Sequence, residues 1–452
     1  MKKAFFTVFV VIAVVMVTVL SGCSQEAGSD GKKGDSKSGD VTLTVLINAG
    51  AKVDFLKDKV KPAFEKENPG VKLNVLSVPY DQYDSKLSTL IAGGTPPDVW
   101  SHWGQSGFAD YYKRGLIADL SPFMDDFDKS KMQDKLLDIY NIDGKQHGIP
   151  FSSFTSFFYY NKELLDKAGI DYPEYKWNDP EWNWDKVVDM AKQLTKDYGK
   201  PNGVYGFTMN LGDTIDTYGW DWGADIYGDE AYKSGMVGES QLTGPKFIES
   251  VTFFRDLIFK EKVSPTADIT QAAQQTGDPF VAGKVAMNMT GAWGLGNYEK
   301  GKMKFGVAPI PTGPAGTATP ILYVDPLMIS SKSKHPDEAW KLVKFLASTE
   351  AQKMWVEVTG FPPADTEAYE DWYSRFKDNI DVAYLKELNE AAIENGKESP
   401  NHLLSGYAEI LTFLTNESEP IFLKNEDPKQ LLEKMDPKFN DLLQRIKQKS
   451  EK

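Results

Sequence analysis

The chain has 452 residues, 41% apolar and 26% charged, which describes a folded body large enough for two lobes and excludes a disordered or multiply membrane-spanning chain. Sixty-five acids against 51 bases leave a net charge of −14, so a basic face for nucleic-acid phosphates is not expected. A single cysteine excludes an internal disulfide and a cysteine zinc cluster, and the four histidines show no HxxxH or HExxH spacing, so no protein-built transition-metal site and no cofactor are expected.

Met1-Lys2-Lys3 is a positive start, and Ala4 to Leu20 is an apolar run that leads to the small residues Ser21 and Gly22 and then to Cys23. This is the layout of an export signal. The run of 17 residues stands at the short limit for spanning about 30 Å of hydrocarbon, and the exit residues decide against a membrane helix. Leu20-Ser21-Gly22-Cys23 resembles the bacterial lipobox, in which the cysteine is acylated, as by palmitate, and becomes the new N-terminus. Residues 1–23 therefore read as a lipoprotein signal peptide, and a lone cysteine makes sense as a covalent anchor. Residues 24–40, SQEAGSDGKKGDSKSGD, have no apolar periodicity and read as a flexible tether of roughly 55–60 Å at full extension.

The body then alternates. Val41 to Ile47 is a β-branched strand, Ala51 to Asn68 has helical apolar spacing and stops at Asn68-Pro69-Gly70, and Val71 to Val75 alternates as a strand. Tyr83 to Ile91 is a helix, and Pro97 to Trp100 a third strand. This order predicts a mainly parallel sheet whose ligands bind in the loops leaving its strands, here Asn48-Ala-Gly50 and Ser101 to Gln105. Ile142 to Lys145 is a hairpin turn. A strand over Phe157–Tyr160 and a helix to a Gly169 stop come next, followed by a helix over Trp184–Thr195. The aromatic loop Tyr218 to Tyr227 precedes a helix over Gly244–Glu261. Phe280 to Trp293 ends a helix, runs an alternating strand and leaves through a Gly/Trp loop. Strands over Phe305–Pro311 and Leu327–Ser330 precede a helix opened by His335-Pro336, with Trp340, Val343, Phe345 and Leu346 inward.

Several stretches carry a resemblance. Phe64-Glu-Lys-Glu-Asn-Pro-Gly-Val71, Ala92-Gly-Gly-Thr-Pro-Pro-Asp98, Phe158-Tyr-Tyr-Asn-Lys162, Phe280-x-x-Gly-Lys-x-Ala-Met287 with Gly291-x-Trp293, and Asp337-Glu-Ala-Trp with Phe345-Leu and Glu350-Ala-Gln352 stand in order. Together they resemble the family 1 extracellular solute-binding proteins, the maltose-binding-protein-like receptors of sugar ABC importers. The resemblance spans almost the whole mature chain. It implies an α/β, two-lobed periplasmic-binding-protein-like (type II) fold with the ligand cleft between the lobes. It places lobe one at 41–150 and 308–360 and lobe two at 151–307 and 361–452, with crossings near Pro150–Ser153, Val307–Pro311 and Gly360–Pro363. It also implies a monomer that hands its solute to permease subunits outside the cell membrane, anchored there through Cys23.

Sugars present hydroxyl rims and apolar C–H faces, so their sites combine aromatic platforms with side chains that donate and accept. The resemblance places three loops in the cleft: Ser101, His102, Trp103 and Gln105; Trp220, Asp221 and Trp222; Thr290 and Trp293. Asn48, Ser152, Phe154, Thr155 and Asp325 are further candidates. Trp220 and Trp222 would share a face on a strand, which predicts that at least one is exposed. These loops hold few charges, which favours a neutral carbohydrate, an oligosaccharide, over a polyamine, a metal complex or a phosphodiester. A secreted glycoside hydrolase or lyase remains the alternative in the enzyme class, since 65 acids always offer a carboxylate pair. Gly277 to Lys284 is one residue too long for a phosphate loop and has Val285 where the metal-binding hydroxyl belongs. Asp125-Asp-Phe-Asp128 lacks the glycine and late glutamate of a calcium loop and reads as a solvated acidic turn.

Overall fold

The computed structural model describes residues 40–101, 107–200, 202–210, 215–229, 231–235, 237–275 and 277–450; the signal, Cys23 and the tether lie outside them. Among the described residues there are eleven strands: β1 (Val41–Asn48), β2 (Val71–Val78), β3 (Val99–Trp100), β4 (Asn141–Ile142), β5 (Lys145–Gln146), β6 (Ile149–Asn161), β7 (Tyr205–Asn210), β8 (Val285–Gly291), β9 (Phe305–Ala308), β10 (Ile321–Ile329) and β11 (Lys397–Glu398). Nine of them form one sheet in the order β2-β1-β3-β10-β6-β8-β7, with β9 on β6 and β11 on β10, while β4 and β5 make a hairpin apart.

The sheet has two parallel ends. β1 pairs in parallel with β2 and β3, and β7 in parallel with β8. Helices make these crossovers: Ala51 to Glu67 links β1 to β2, with one wider π turn over Phe55–Val60, and Tyr83–Ala92 links β2 to β3. The middle is antiparallel. β6 has 13 residues, all buried, twice the length of an ordinary strand. Its first half pairs with β10, from Ile149 opposite Leu327 to Thr155 opposite Leu322. Its second half pairs with β8 and β9. β10 in turn pairs with β3 through Met328 and Ile329. These two strands therefore run from one parallel end into the other.

Pro326 lies inside β10, where an amide would be missing from the ladder. The register shifts between Asp325 and Pro326, and this irregularity accommodates the proline. It also explains why the sequence pattern finds only the last part of this strand. Residues 309–320 were expected to open lobe one. They instead bond to the other end of the molecule: Thr312 N–H donates to the Trp182 carbonyl, Ala315 N–H to the Asp221 carbonyl and Thr319 N–H to Asp221 Oδ1. β10 joins the β3 pairing to β6.

One core runs from Phe55, Trp100 and Phe151 near the β1–β3 end to Val285, Tyr298 and Phe305 beside β8 and β9. Another gathers Phe158, Trp184, Phe207 and Trp222. A third packs Ile215, Phe247 and Val251 against Leu404, Leu414 and Phe439 of the C-terminal segment. Each large side chain buried this way contributes about 1.5–3 kcal/mol. Among the described residues no helix is long and apolar enough to cross a membrane.

Candidate functional site

Leu46 of β1 stands opposite Trp100 of β3, so Asn48 and Ser101 leave the sheet side by side at its carboxyl edge. Met328 of β10 also faces Trp100, which puts Asp325 just beyond that edge. Tyr83 Oη donates to the Ser101 carbonyl at 2.8 Å and stands 3.3 Å from the Leu46 carbonyl, so it lies between the two strand ends. Tyr140 Oη donates to the Val324 carbonyl beside Asp325. Into this corner comes Lys52, from the helix that follows β1. Its Nζ is 3.9 Å from Asp325 Oδ2, with the side chains only 14% and 12% exposed. Burial pulls the Lys52 ammonium below its ordinary value, and the Asp325 charge partly offsets that. Lys52 and Asp325 are an ion pair of opposite formal charge. Asn48 Oδ1 and Ser101 Oγ are buried with no hydrogen-bond partner among the described residues.

An aromatic wall continues from Asp325 toward the β7–β8 end. The Trp293 ring lies 5.6 Å from Tyr323 and 5.8 Å from Phe154, and Phe154 lies 5.6 Å from Phe361. Trp293 folds back over Gly291, where a Cβ would stand 2.2 Å from the ring. Phe154 is 5% exposed, and Trp293 and Tyr323 are partly buried. One paired polar corner and one aromatic wall thus adjoin on the strands that connect the two ends.

The aromatic loop behaves differently from its expectation. Trp220 and Trp222 are 6% and 3% exposed, so neither is open to solvent. Trp220–Trp222 is a 3₁₀ turn, and its threefold period sends the two rings apart where a strand would align them. Trp222 packs into the second core against Phe253 and Phe254 at 5.2 and 5.6 Å. Trp220 lies under Lys397, whose Nζ is 4.9 Å from its ring, and borders a cavity of about 20 Å³ with Ser156, Thr217 and Ile321. Thr290 is buried, with its methyl carbon 3.1 Å from where a Cβ on Gly294 would stand, inside the packing under helix Trp293–Lys300. Ser152 Oγ donates to the Pro362 carbonyl, and Thr155 Oγ1 is buried with no partner among the described residues. His102, Trp103 and Gln105 lie outside the described residues. The structure therefore gathers Asn48, Ser101, Asp325, Phe154 and Trp293, and places Trp222 and Thr290 in packing. Reading the sequence missed Lys52 and Tyr323. Lys52 stands four residues past Asn48 in the segment leaving β1, the position where such sheets bind ligands, so the signal was present.

Asp221 is fully buried, and burial pushes its carboxyl up to about 7 against the hydrogen bond from Thr319 N–H. A folded-state value above the ordinary carboxylate value means that its contribution to stability is present at low pH and is lost as pH rises through about 7. Asp221→Asn keeps an acceptor for Thr319 and removes the titration. It is expected to melt like the parent near pH 4 and to be more stable by about 1–3 kcal/mol at pH 8, measured by denaturant unfolding at both pH values.

Residues 49–353 match the family model of the bacterial extracellular solute-binding proteins. The chain is 30% identical to a binding protein of Brucella abortus (strain 2308) over 418 residues, 90% of this chain and 94% of that one. It is 25% identical to the arabinooligosaccharide-binding protein of Bacillus subtilis (strain 168), over 92% of this chain and 90% of the other. Among solved structures it is similar to the ABC substrate-binding protein of Listeria monocytogenes in complex with cycloalternan, with a TM-score of 0.76 at 24% identity over 89% of this chain and 99% of that one. It is also similar to maltose-bound MalE3 of T. maritima, with a TM-score of 0.72 at 22% identity over 89% and 100% of the two chains. The nine-stranded sheet with its two parallel ends is thus the two-lobed α/β fold of these receptors, and the chain belongs to the bacterial extracellular solute-binding protein family.

Proposed function

We propose that this protein captures a neutral carbohydrate, an oligosaccharide, between its lobes and delivers it to the permease subunits of an ABC importer. The observation that carries this reading is the juxtaposition of the Trp293–Tyr323–Phe154 wall with a polar corner in which Lys52 and Asp325 pair. Rings take the C–H face of a sugar, and Asn48, Ser101 and the Lys52–Asp325 pair offer donors and acceptors to its hydroxyls. Relatives add support: one curated relative is an arabinooligosaccharide-binding protein, another a maltodextrin-binding protein at 25% identity. In this reading the ligand set is Asn48, Lys52, Ser101, Phe154, Trp293, Tyr323 and Asp325. Trp220 stands at its far end, and loop residues His102, Trp103 and Gln105 complete it. Lobe one comprises about residues 41–150 with the segment from Asp325 onward, and the lobes close about β6 and β10. Cys23 carries the lipid that holds a monomer at the outer face of the cell membrane, and the work is binding and release without turnover.

The test is a thermal-shift screen of residues 24–452 against maltotriose, arabinotriose and mannotriose, with mass spectrometry of the sugar recovered afterwards. A ligand at 100 times its dissociation constant adds about 2.7 kcal/mol of stability. A raised midpoint with intact sugar is the expected outcome. Cleaved sugar would move the protein into the enzyme class, and a flat screen that moves with polyamines or phosphodiesters would replace the carbohydrate.

A further inference from the structure

The C-terminal segment brings a second group of buried, unpartnered polar atoms to the same strand edge. β11 pairs with β10 only at Ile321 and Leu322, and β3 pairs only at Met328 and Ile329. Ser399 N–H donates to the Leu322 carbonyl at 3.1 Å, three residues before Asp325 on β10. Among the described residues its Oγ is buried without a hydrogen-bond partner, as is His402 Nε2, and these residues are 3% and 5% exposed. Ser101 Oγ, at 0% exposure, is the matching atom on the β3 side.

His402 is held in one orientation. Its Nδ1 is 2.5 Å from Glu398 Oε2. A carboxylate only accepts, so Nδ1 carries the hydrogen, and in the neutral ring Nε2 keeps its lone pair. The ring is clamped 5.4 Å from Phe108 and 4.9 Å from Tyr140, the tyrosine that bonds the Val324 carbonyl beside Asp325. The backbone is fixed as well. Ala109 N–H donates to the His402 carbonyl at 3.0 Å, and Gly406 N–H to Asp110 Oδ1 at 2.9 Å. Two residues on, Leu404 is buried in the third core with Tyr407 and Leu414. The segment 399–406 thus reaches from the C-terminal helices across to the β1–β3 end.

We propose that Ser399 and His402 form a further wall of the ligand site, in which His402 Nε2 accepts a hydrogen bond from a ligand hydroxyl and Glu398 is the positioning residue that fixes its tautomer. Leaving a buried acceptor empty costs free energy that a bound hydroxyl recovers, so this wall selects solutes that donate at that point and disfavours those that offer only acceptors. The inference rests on the carbohydrate reading above and specifies its geometry.

The experiment is a calorimetric titration of maltotriose, arabinotriose and mannotriose into residues 24–452 of the parent, His402→Ala and Ser399→Ala, with the unfolding midpoint of each measured first. Loss of about tenfold or more for His402→Ala and about three- to tenfold for Ser399→Ala is expected. Ser399→Ala removes one atom and keeps the proposal testable if His402→Ala does not fold. Nitrogen-15 NMR of the unliganded parent, with the ring assigned through His402→Gln, is expected to show Nε2 without hydrogen and shifted once the sugar binds. A parent that binds beside folded variants that bind equally overturns this wall alone. A parent that binds none of the three sugars overturns the carbohydrate reading and this wall with it. A ring hydrogen on Nε2 in the neutral form overturns the acceptor role.

Discussion

Gly107→Ala destabilises the protein by about 3 kcal/mol or more, the largest effect expected of a methyl added at any of the described glycines. A Cβ at Gly107 would stand 1.4 Å from the Asn401 carbonyl oxygen and 2.5 Å from its carbon. The clash is with backbone, so no rotamer change relieves it. Asn401 cannot retreat cheaply, because its neighbours are bonded on both sides: Ser399 to Leu322, and His402 to Ala109. The measurement is the denaturant midpoint at constant slope. A variant as stable as the parent would show that segment 399–406 does not lie against the helix Phe108–Lys113.

Trp293→Ala weakens carbohydrate binding by about 10- to 100-fold, corresponding to about 1–3 kcal/mol of lost stacking and burial. Trp293 is partly buried between Phe154 and Tyr323, so some loss of stability accompanies it, and the binding loss is read on folded protein. Trp293→Phe keeps an aromatic face and is expected to recover part of the affinity. Parent-like affinity in Trp293→Ala would remove the aromatic wall from the site.

The parallel ends of the fold were legible because their strands and helices carry strong local patterns. Val41–Asn48, Val71–Val78 and Trp184–Leu194 fall where the periodicity places them, within a few residues. The middle was not. β6 is buried on every residue and has no alternation to read, and β10 hides behind Pro326, which looks like a strand breaker until the register shift is seen. Phe280 to Gly283, read as the end of a helix, is a turn, and β8 is buried on both faces where alternation was expected. The site divides along the same line. Asn48 and Ser101 follow from the rule that ligands meet the carboxyl ends of parallel strands. Lys52–Asp325 and the His402–Glu398 pair join residues 273 and four positions apart, and neither spacing announces that both pairs meet at one strand edge. Trp222 was not legible in the same way: the expectation of an exposed ring assumed a strand, whereas a 3₁₀ turn directs it into the core.

The most direct test of the central claim is the salt dependence of binding, measured by calorimetric titration of the best neutral oligosaccharide from the thermal screen at roughly 50 and 500 mM salt. Capture of a neutral carbohydrate by an aromatic wall and a paired polar corner predicts one site per chain and an affinity that changes by less than about threefold between the two conditions, because the ligand carries no charge to be screened. Absence of binding to any neutral sugar, with a solute whose affinity falls steeply with salt taking its place, would contradict it.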